Sequence, residues 1–594
     1  MNPRLILAGL LAGLALGADL ASAQTPAADP RIDASGRLLA TWPKDRLFDF
    51  IHMRLELTFP DMGKAFLEGV ETLTLAPIGA PRTSVTLDCD GPVITQALLN
   101  GAHCTFIQDG KKLYVTFPTQ LHKATAADLT LQYTLDFSKS KGEGLTYSKA
   151  SSNGPGLTYQ SPQVHAQGQA ELNSRWFPCL DHPSEKLTTE LIVNVEEGYE
   201  VVSNGRLKSK SEYLPGRARW HWTQDTPHTN YLVTLVIGRL ARVDLTEADG
   251  SSPRIPLPVF TPHGTEDNIR ATFSETPEMV RFFEQRFGVP YPWAQYAQCC
   301  VRDFVAGGME NTGCTLLTHT VTRKNTPGSN DDLISHELAH QWFGDLVTCD
   351  SWDHLWLNEG WATYSEALWA EHKGAKVSPE KARSEYRRTI LGFAHGQRRR
   401  NHSHAPSAPA IVSNRFTDPD KVFMKADDPY AKGAMILHML RQRLGDEAFF
   451  KATTLFLQRF AYKSAETDDF RRVLEEVSGQ SLERFFDQWC SRPGLPRLSV
   501  TQDWDESTST LTVSMTQTQT IDALNPAYAI SVPVLVKVTE QDRRWVYLDT
   551  ESKTATTSIQ LPSRPAQVSV DPNITILAAV TIDKPLNTAP ATNE

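Results

Sequence analysis

The spacing of apolar residues changes twice along this chain of 594 residues. Residues 129–137 alternate between apolar and mostly polar side chains, which is typical of a half-buried β-strand. Residues 273–283 carry their apolar side chains at helical spacing instead, and this helical character continues to about residue 489. A break rich in Pro and Gly follows at 492–496, and strict alternation returns at 530–538. We therefore expect a multidomain α+β fold with a β domain, a mainly helical domain and a small β-sandwich.

We place these domains at residues 24–262, 263–495 and 496–585, with a flexible polar tail at 586–594. The chain is long enough for several domains that each have their own core. Hydrophobic residues make up 40% and charged residues 22%, which are ordinary values for globular proteins. The formal net charge of −10 disfavours a nucleic-acid partner, because binding to phosphates needs concentrated Lys and Arg.

The first 23 residues resemble a secretory signal peptide. Arg4 gives a weakly positive start, residues 5–17 form an apolar run, and Ala21-Ser22-Ala23 fits a signal-peptidase site. The run is too short for a good transmembrane helix, and no later segment offers about 20 apolar residues. We expect cleavage after Ala23 and export to the periplasm or the secreted fraction, without a stable membrane anchor. An uncleaved anchor is the alternative.

Export would permit disulfide bonds, and the chain contains eight cysteines. None of them forms a C-x-x-C pair. A bridge between Cys89 and Cys104 and a set of buried free thiols are both compatible with the sequence.

A short motif in the helical region predicts a metal site. Residues 336–340 read His-Glu-Leu-Ala-His, which is an H-E-x-x-H motif. On a helix, His336 and His340 lie on one face and can both reach one Zn²⁺ at about 2.0–2.1 Å. Glu337 lies beside them, where it can take a proton from water. Asn330 or Asp331 can cap the start of this helix.

Glu359 is the candidate third ligand, with 18 residues between it and His340. Asn358 can start a second helix, which would place Glu359 in its first turn. Two His, one Glu and an open position for water form the coordination of a catalytic zinc, so we expect one Zn²⁺ per chain. Glu366 lies seven residues after Glu359 on the same helical face. It either holds a ligand His in place or is an ordinary surface carboxylate.

Further segments resemble the gluzincin aminopeptidases, the family of aminopeptidase N and leukotriene A hydrolase. They are Gly307-Gly308-Met309-Glu310-Asn311, the Trp-Asp-His-Leu-Trp-Leu run at 352–357, Pro429-Tyr430-Ala431-Lys432-Gly433, and the stretch 167–181 that begins Gln167-Gly168-Gln169. The likeness extends over about residues 163–496, and the motifs follow the order of that family.

The resemblance implies a β-saddle N-terminal domain, a thermolysin-like catalytic domain and a C-terminal β-sandwich. Many relatives also have a large C-terminal helical domain, and we expect it to be absent here because only strand-like patterns follow Pro496. The resemblance further implies that Glu337 is the general base and that Tyr430 donates a hydrogen bond to the oxyanion.

The same resemblance implies a binding site for peptides with a free N-terminus. Glu310 would bind the substrate ammonium, while Gly307 and Gly308 would allow the close approach of an extended substrate. Met309, Asn311 and Gln167 belong to the expected substrate-binding set, together with Gln169. Many relatives carry Glu at the position of Gln169, whereas the leukotriene-hydrolase branch has Gln, so we expect Glu310 to be the main anchor.

The predicted function is therefore zinc-dependent removal of N-terminal residues from peptides. An endopeptidase stays open, because H-E-x-x-H is common to both classes. A hydrolase of epoxides or esters, of the leukotriene-hydrolase type, also stays open because of Gln169 and the segment at 429–433. The sequence leaves the oligomeric state and the preferred N-terminal side chain open.

Overall fold

The structure, a computed structural model, describes residues 40–151, 160–247, 250, 252–323, 326–402, 409–416, 418–523 and 525–586. The predicted signal peptide and residues 587–594 of the predicted tail lie outside these residues, so both stay predictions. Leu586, the first residue of the predicted tail, is buried, and its backbone N donates to Gln502 Oε1 at 3.1 Å. In the described part, no helix is long and apolar enough to cross a membrane. All eight cysteines are described, and each is a buried free thiol.

The described residues of the N-terminal part form fifteen strands. They are β1 (Phe48–Thr58), β2 (Phe66–Pro77), β3 (Arg82–Asp88), β4 (Val93–Leu99), β5 (Ala102–His103), β6 (Thr105–Asp109), β7 (Lys112–Leu121), β8 (Ala127–Asp136), β9 (Gly144–Ser148), β10 (Gln163–Gln167), β11 (Lys186–Glu196), β12 (Glu200–Ser203), β13 (Arg206–Leu214), β14 (Arg217–Thr229) and β15 (Leu235–Gly238). The strand predicted from residues 129–137 is β8, in which Leu129, Leu131 and Tyr133 are buried and their neighbours are not.

These strands form three sheets, ordered β13-β14-β11-β1-β2-β8-β4-β5, β12-β15-β10-β9 and β3-β7-β6. Within them, β1 and β11 pair in parallel, and the remaining pairs are antiparallel. Antiparallel sheets with one buried face explain the alternating sequence pattern of this region.

A fourth sheet, ordered β16-β17-β18-β20-β19, lies at the transition to the helical region. Its strands are β16 (Leu240–Asp244), β17 (Pro258–Pro262), β18 (Ala297–Val301), β19 (Gly308–Met309) and β20 (Cys314–Thr318). The boundary predicted at residue 262 falls inside this sheet, because β17 pairs in parallel with β18. The sheet next to the catalytic motif therefore includes β16 and β17, which lie before the boundary predicted at residue 262.

Nine α-helices and a two-stranded parallel sheet follow in the described chain. They are α1 (Glu266–Thr272), α2 (Thr276–Phe287), α3 (Asp331–Ala339), β21 (Val347–Cys349), α4 (Trp356–Ala375), α5 (Pro379–His402), α6 (Ala431–Leu444), α7 (Asp446–Arg459), β22 (Lys463–Ala465), α8 (Thr467–Ser478) and α9 (Glu483–Phe486). The predicted apolar stripe lies on α2, where Met279, Phe282 and Phe283 are buried. Aromatic rings dominate this core, for example Phe343 stacked on Trp361 with ring centroids 4.2 Å apart.

Between residues 497 and 586, the described chain forms two sheets, ordered β27-β24-β23-β29 and β26-β25-β28. Their strands are β23 (Arg497–Asp505), β24 (Thr510–Gln517), β25 (Ile530–Lys537), β26 (Arg543–Thr550), β27 (Thr554–Gln560), β28 (Gln567–Val570) and β29 (Ala579–Lys584). Their buried residues, such as Val513 and Val534, belong to the same apolar cluster as the helical core. The chain is thus a mixed α/β multidomain protein in which a β-rich N-terminal part precedes a helical one.

Candidate metal and catalytic site

Helix α3 carries the H-E-x-x-H residues at its C-terminal end. His336 lies in the last turn, and His340 directly follows the helix as its C-cap. Ile334 and Leu338 are buried in the core, which fixes the rotation of the helix. Asn330 occupies the N-cap position, but its side-chain amide donates to Ser329 Oγ at 3.3 Å instead of capping the helix.

Helix α4 presents Glu359 from its first turn, as the sequence predicted. The prediction that Asn358 starts this helix is wrong, because the buried Trp356 already belongs to it. Asn358 is an internal anchor: its Oδ1 accepts a hydrogen bond from Cys349 N at 3.1 Å, and its Nδ2 donates to Tyr231 Oη at 3.3 Å. Both bonds hold the first turn of α4, and Glu359 with it, against the surrounding core.

The distances among the three candidate ligands fit one metal ion. His340 Nε2 lies 3.2 Å from His336 Nε2, and Glu359 Oε2 lies 3.4 and 3.3 Å from these two nitrogens, respectively. Tetrahedral coordination at about 2.0–2.1 Å separates ligand atoms by about 3.3 Å. The three atoms thus form one face of a tetrahedron of the size that a zinc ion needs.

The other ring nitrogens determine where the protons lie. His340 Nδ1 is 2.9 Å from Phe343 O, and His336 Nδ1 is 2.9 Å from Glu366 Oε1. A carbonyl oxygen can only accept a hydrogen bond, and a carboxylate oxygen stabilises a partner that donates one. Both Nδ1 atoms therefore carry protons. In neutral rings the two Nε2 atoms then turn lone pairs towards each other and towards the Glu359 carboxylate. A cation stabilises this arrangement, so the donor set fits a metal.

Further buried carboxylates surround the ligands. Burial raises the pKa of Glu337 to about 8, outweighing the two histidines, which lower it. Burial also raises the pKa of Glu310, and the nearby Glu359 acts in the same direction. Burial lowers the pKa of His340, but Glu310 and Glu359 more than reverse this and raise it to about 9. The electrostatics of the site therefore favour cations.

Tyr430 faces the ligands from the start of α6. Its ring lies parallel to the His336 ring, with centroids 6.1 Å apart and an interplanar angle of 19°. Burial raises the pKa of its phenol, and the neighbouring Glu359 and Glu310 raise it further. The phenol therefore keeps its proton at neutral pH and can act as a hydrogen-bond donor.

A cavity of about 320 Å³ joins these groups. It is lined by Gln169, Ala306, Gly307, Gly308, Glu310, Asp332, Leu333, His336, Glu337, His340, Glu359, Glu366 and Tyr430. Gln169 Nε2 donates to Glu310 Oε1 at 2.9 Å, and Glu310 is only 3% exposed. A Cβ atom at Gly308 would collide with the Glu337 carboxylate, which explains the glycine there. At Gly307 the nearest atom, Leu333 Cδ1, would be 3.5 Å away, so that position has room.

Comparison with known families agrees with this geometry. The model described as Peptidase M1 N-terminal domain matches residues 51–232, and the model described as Peptidase family M1 domain matches residues 271–489. The second match contains the whole metal motif, Glu359 and Tyr430. This chain belongs to peptidase family M1. The family implies a metal cofactor, and the His336–His340–Glu359 set is a candidate site for it.

Curated relatives carry aminopeptidase names. "Aminopeptidase M1-A" of Oryza sativa subsp. japonica is 31% identical over 340 residues, which is 55% of this chain and 36% of that protein. "Leucyl aminopeptidase" of Saccharolobus solfataricus is 27% identical over 426 residues, 70% of this chain and 50% of that protein. "Aminopeptidase N" of Streptomyces lividans is 30% identical over 330 residues, which is 54% of this chain and 37% of that protein. The chain thus spans between about one third and one half of the length of these relatives.

The cavity brings together most of the predicted site residues, but three substrate-binding predictions lie outside its lining. Met309 is 1% exposed and packs in the apolar core of the N-terminal part. Asn311 Nδ2 donates to Leu232 O at 3.4 Å, and Gln167 is buried in β10, where it pairs with Gly144. Strand alternation explains the first of these, because Gly308 and Glu310 face the cavity and Met309 between them faces away.

Two glycines were missed as site-building residues. A Cβ atom at Gly433 would lie 2.7 Å from Gly360 Cα, so α4 and α6 touch backbone to backbone at this point. Gly360 follows Glu359, and Gly433 lies in the first turn of the helix that begins after Tyr430. The close approach therefore brings the tyrosine to the metal ligands. Gly360 directly follows Glu359, and Gly433 ends the segment 429–433 that contains Tyr430. Their positions next to candidate site residues were the sequence signal that could have identified them.

Proposed function

We propose that this chain is a zinc aminopeptidase that hydrolyses the first peptide bond of peptides with a free amino group. The observation that carries the proposal is the position of Glu310, a buried carboxylate in the same small cavity as the three candidate metal ligands. The α-ammonium of an unblocked peptide has a pKa of about 8 and is mostly charged at neutral pH. Its ion pair with Glu310 would fix which peptide bond meets the metal.

Zinc is the proposed metal because two imidazole nitrogens and one carboxylate leave a fourth position open, as in catalytic zinc sites. When bound, zinc would supply a Lewis acid that polarises the substrate carbonyl and lowers the pKa of water. The names of the relatives support the proposed reaction class.

The residues around the metal divide the remaining chemistry. Glu337 Oε2 is buried and makes no hydrogen bond to any residue that the structure describes. The positive charge of a bound zinc would favour the ionised form of this carboxyl group, which could then accept a proton from the attacking water. The same carboxyl group would then pass that proton to the leaving amine. Tyr430, which keeps its phenolic proton, would donate a hydrogen bond to the carbonyl oxygen as negative charge develops on it.

The strand side of the cavity would hold the peptide backbone. β19 is the edge strand of its sheet, so one side of its backbone is unpaired within the sheet. An extended substrate could pair there with its N-terminus directed at Glu310. We also propose that the N-terminal part is a β-saddle, that the helical part is a thermolysin-like catalytic domain, and that the C-terminal part is a β-sandwich.

The test is a panel of aminoacyl fluorogenic substrates, each with and without an N-acetyl cap. Capping removes the ammonium and leaves Glu310 desolvated and unpaired, at a cost of about 2–5 kcal/mol. We expect capped substrates to lose on the order of 30–5,000-fold in kcat/KM.

Two variants of Glu310 separate its charge from its bulk. Glu310→Gln keeps the size of the side chain, and Glu310→Ala removes it. We expect both to lower kcat/KM on free-amine substrates and to narrow the gap between free and capped ones. If capped peptides are cut internally as fast as free peptides are trimmed, the protein is an endopeptidase and the proposal is wrong.

A further inference from the structure

We propose that Gln341 is a positioning residue that sets the distance between the metal-binding helix and the amine anchor Glu310. The inference rests on the proposed function and adds the residue that fixes which bond reaches the metal. Gln341 directly follows the ligand His340 in sequence and is fully buried. It lines no part of the cavity, so it acts only through the groups that it holds.

The carboxamide of Gln341 connects α3 to the turn that carries Glu310. Its Nε2 donates to the Glu310 carbonyl oxygen at 3.0 Å, and its Oε1 accepts a hydrogen bond from Gly313 N at 2.8 Å. One side chain thus bonds both ends of the turn between β19 and β20. The link is direct, because Gln341 and His340 are neighbours on one backbone.

The Gln341 side chain is itself held in place. Tyr291 Oη lies 3.2 Å from Gln341 Oε1, and Trp293 Nε1 donates to the Gln341 backbone oxygen at 3.0 Å. Both aromatic residues are buried next to the apolar core. The carboxamide therefore has one orientation available, in which its nitrogen faces Glu310.

The turn itself has little freedom at the end that Gln341 holds. Gly313 has a φ of +63°, and a Cβ atom there would lie 3.0 Å from Gln295 O. Cys314 N donates to Asn311 O at 2.9 Å and closes the turn. Because the turn between β19 and β20 is rigid and is bonded to the residue after α3, the distance between Glu310 and the metal ligands is fixed. Misplacing a bound substrate by about 1 Å can cost about 100-fold in rate, so this separation controls which bond is hydrolysed.

The test replaces the carboxamide by a side chain of similar length, Gln341→Met, and follows free-amine and N-acetylated substrates. We expect kcat/KM on free-amine substrates to fall about 10–100-fold, with the ratio between free and capped substrates reduced at least tenfold. Zinc content should stay at one per chain, because all three ligands are retained. In an inactive Glu337→Gln background, calorimetry with trialanine should show about tenfold weaker binding than without the Met substitution.

Gln488→Met is the matched control. Gln488 is also a buried glutamine that bonds both backbone groups of one residue, Ala529, at 3.2 and 2.6 Å, but it lies away from the cavity. Gln488→Met should lose about as much thermal stability as Gln341→Met, but it should not change the ratio of kcat/KM between free and capped substrates. If Gln341→Met does not fold, the shorter Gln341→Asn supplies the same comparison. A free-to-capped ratio within about threefold of the wild-type value overturns the inference, whereas a wild type that shows no discrimination overturns the proposed function instead.

Discussion

The helical side of the cavity, with His336, His340 and Glu359, is held by contacts between neighbouring turns and by helices packed in a continuous core. The strand side, with Glu310, rests on the two-residue strand β19 at the edge of a sheet. On this side, the side chain and the backbone of Glu310 are each held by one hydrogen bond from the side-chain amide of a glutamine elsewhere in the chain. Gln169 reaches the Glu310 carboxylate, and Gln341 reaches its backbone.

This difference separates two properties of the site. In the proposed mechanism, the helical side carries the groups that bind the metal and move protons, and the strand side carries the group that selects the substrate. Changes on the helical side should therefore alter metal binding or turnover and leave the preference for a free amine intact. Changes on the strand side should reduce the preference for a free amine and leave metal binding intact.

Glu337→Gln should have the largest effect on the helical side. An amide cannot accept the proton of water, so we expect kcat to fall about 10²–10⁴-fold. Zinc content should stay at one per chain because Glu337 is not a ligand, and residual activity should still favour free amines. Kinetics with elemental analysis provide the measurement, and a variant that keeps wild-type turnover would remove Glu337 from the mechanism.

Gly433→Ala tests whether packing between helices positions Tyr430. The new Cβ would lie 2.7 Å from Gly360 Cα, so α6 would have to move away from α4. Overpacking of this kind costs about 1–3 kcal/mol of stability. We also expect a lower kcat with little change in the free-to-capped ratio, measured by thermal unfolding and kinetics.

Gly392→Ala is the control for that experiment. Gly392 lies in the middle of the long helix α5, and apart from the neighbouring backbone of that helix no atom of the described residues is within 4 Å of the position that its Cβ would occupy. Alanine there should stabilise the protein by about 0.5–1 kcal/mol, because it restricts the unfolded chain more than glycine does. Equal unfolding temperatures for the two variants would contradict the proposed tight contact between α4 and α6.

The two sides of the cavity also differ in how far the sequence predicts them. His336 and His340 could be placed because helical spacing is a local property of the chain. The contact between Gln169 and Glu310 bridges 141 residues, and no local pattern encodes it. The position of Gln169 was expected only from the family resemblance, and the role proposed here for Gln341 was not foreseen.

The same limit applies to the domain boundary that the sequence predicts at residue 262. β16 and β17 have the strand-like pattern of the N-terminal region, and a pattern of alternation does not specify which sheet a strand joins. β17 pairs with β18, and this sheet contributes to both apolar clusters: Val243 and Val259 pack in the helical core, whereas Phe260 packs with the N-terminal strands. Helix starts are similarly uncertain, since Asn358 has the composition of a cap but follows Trp356, which is already helical.

Glu366→Gln should have the smallest effect and tests the helical side at its periphery. His336 Nδ1 lies 2.9 Å from Glu366 Oε1, and a glutamine oxygen can still accept that hydrogen bond. The substitution removes only the negative charge that makes the imidazole a better ligand, so we expect about tenfold weaker zinc binding, at the low end for such partners of a ligand. Competition with a chelator of known affinity measures this, while kcat at saturating zinc and the free-to-capped ratio should stay near wild type. Unchanged zinc affinity would make Glu366 an ordinary surface carboxylate. A changed free-to-capped ratio would show that the two sides of the cavity are not independent.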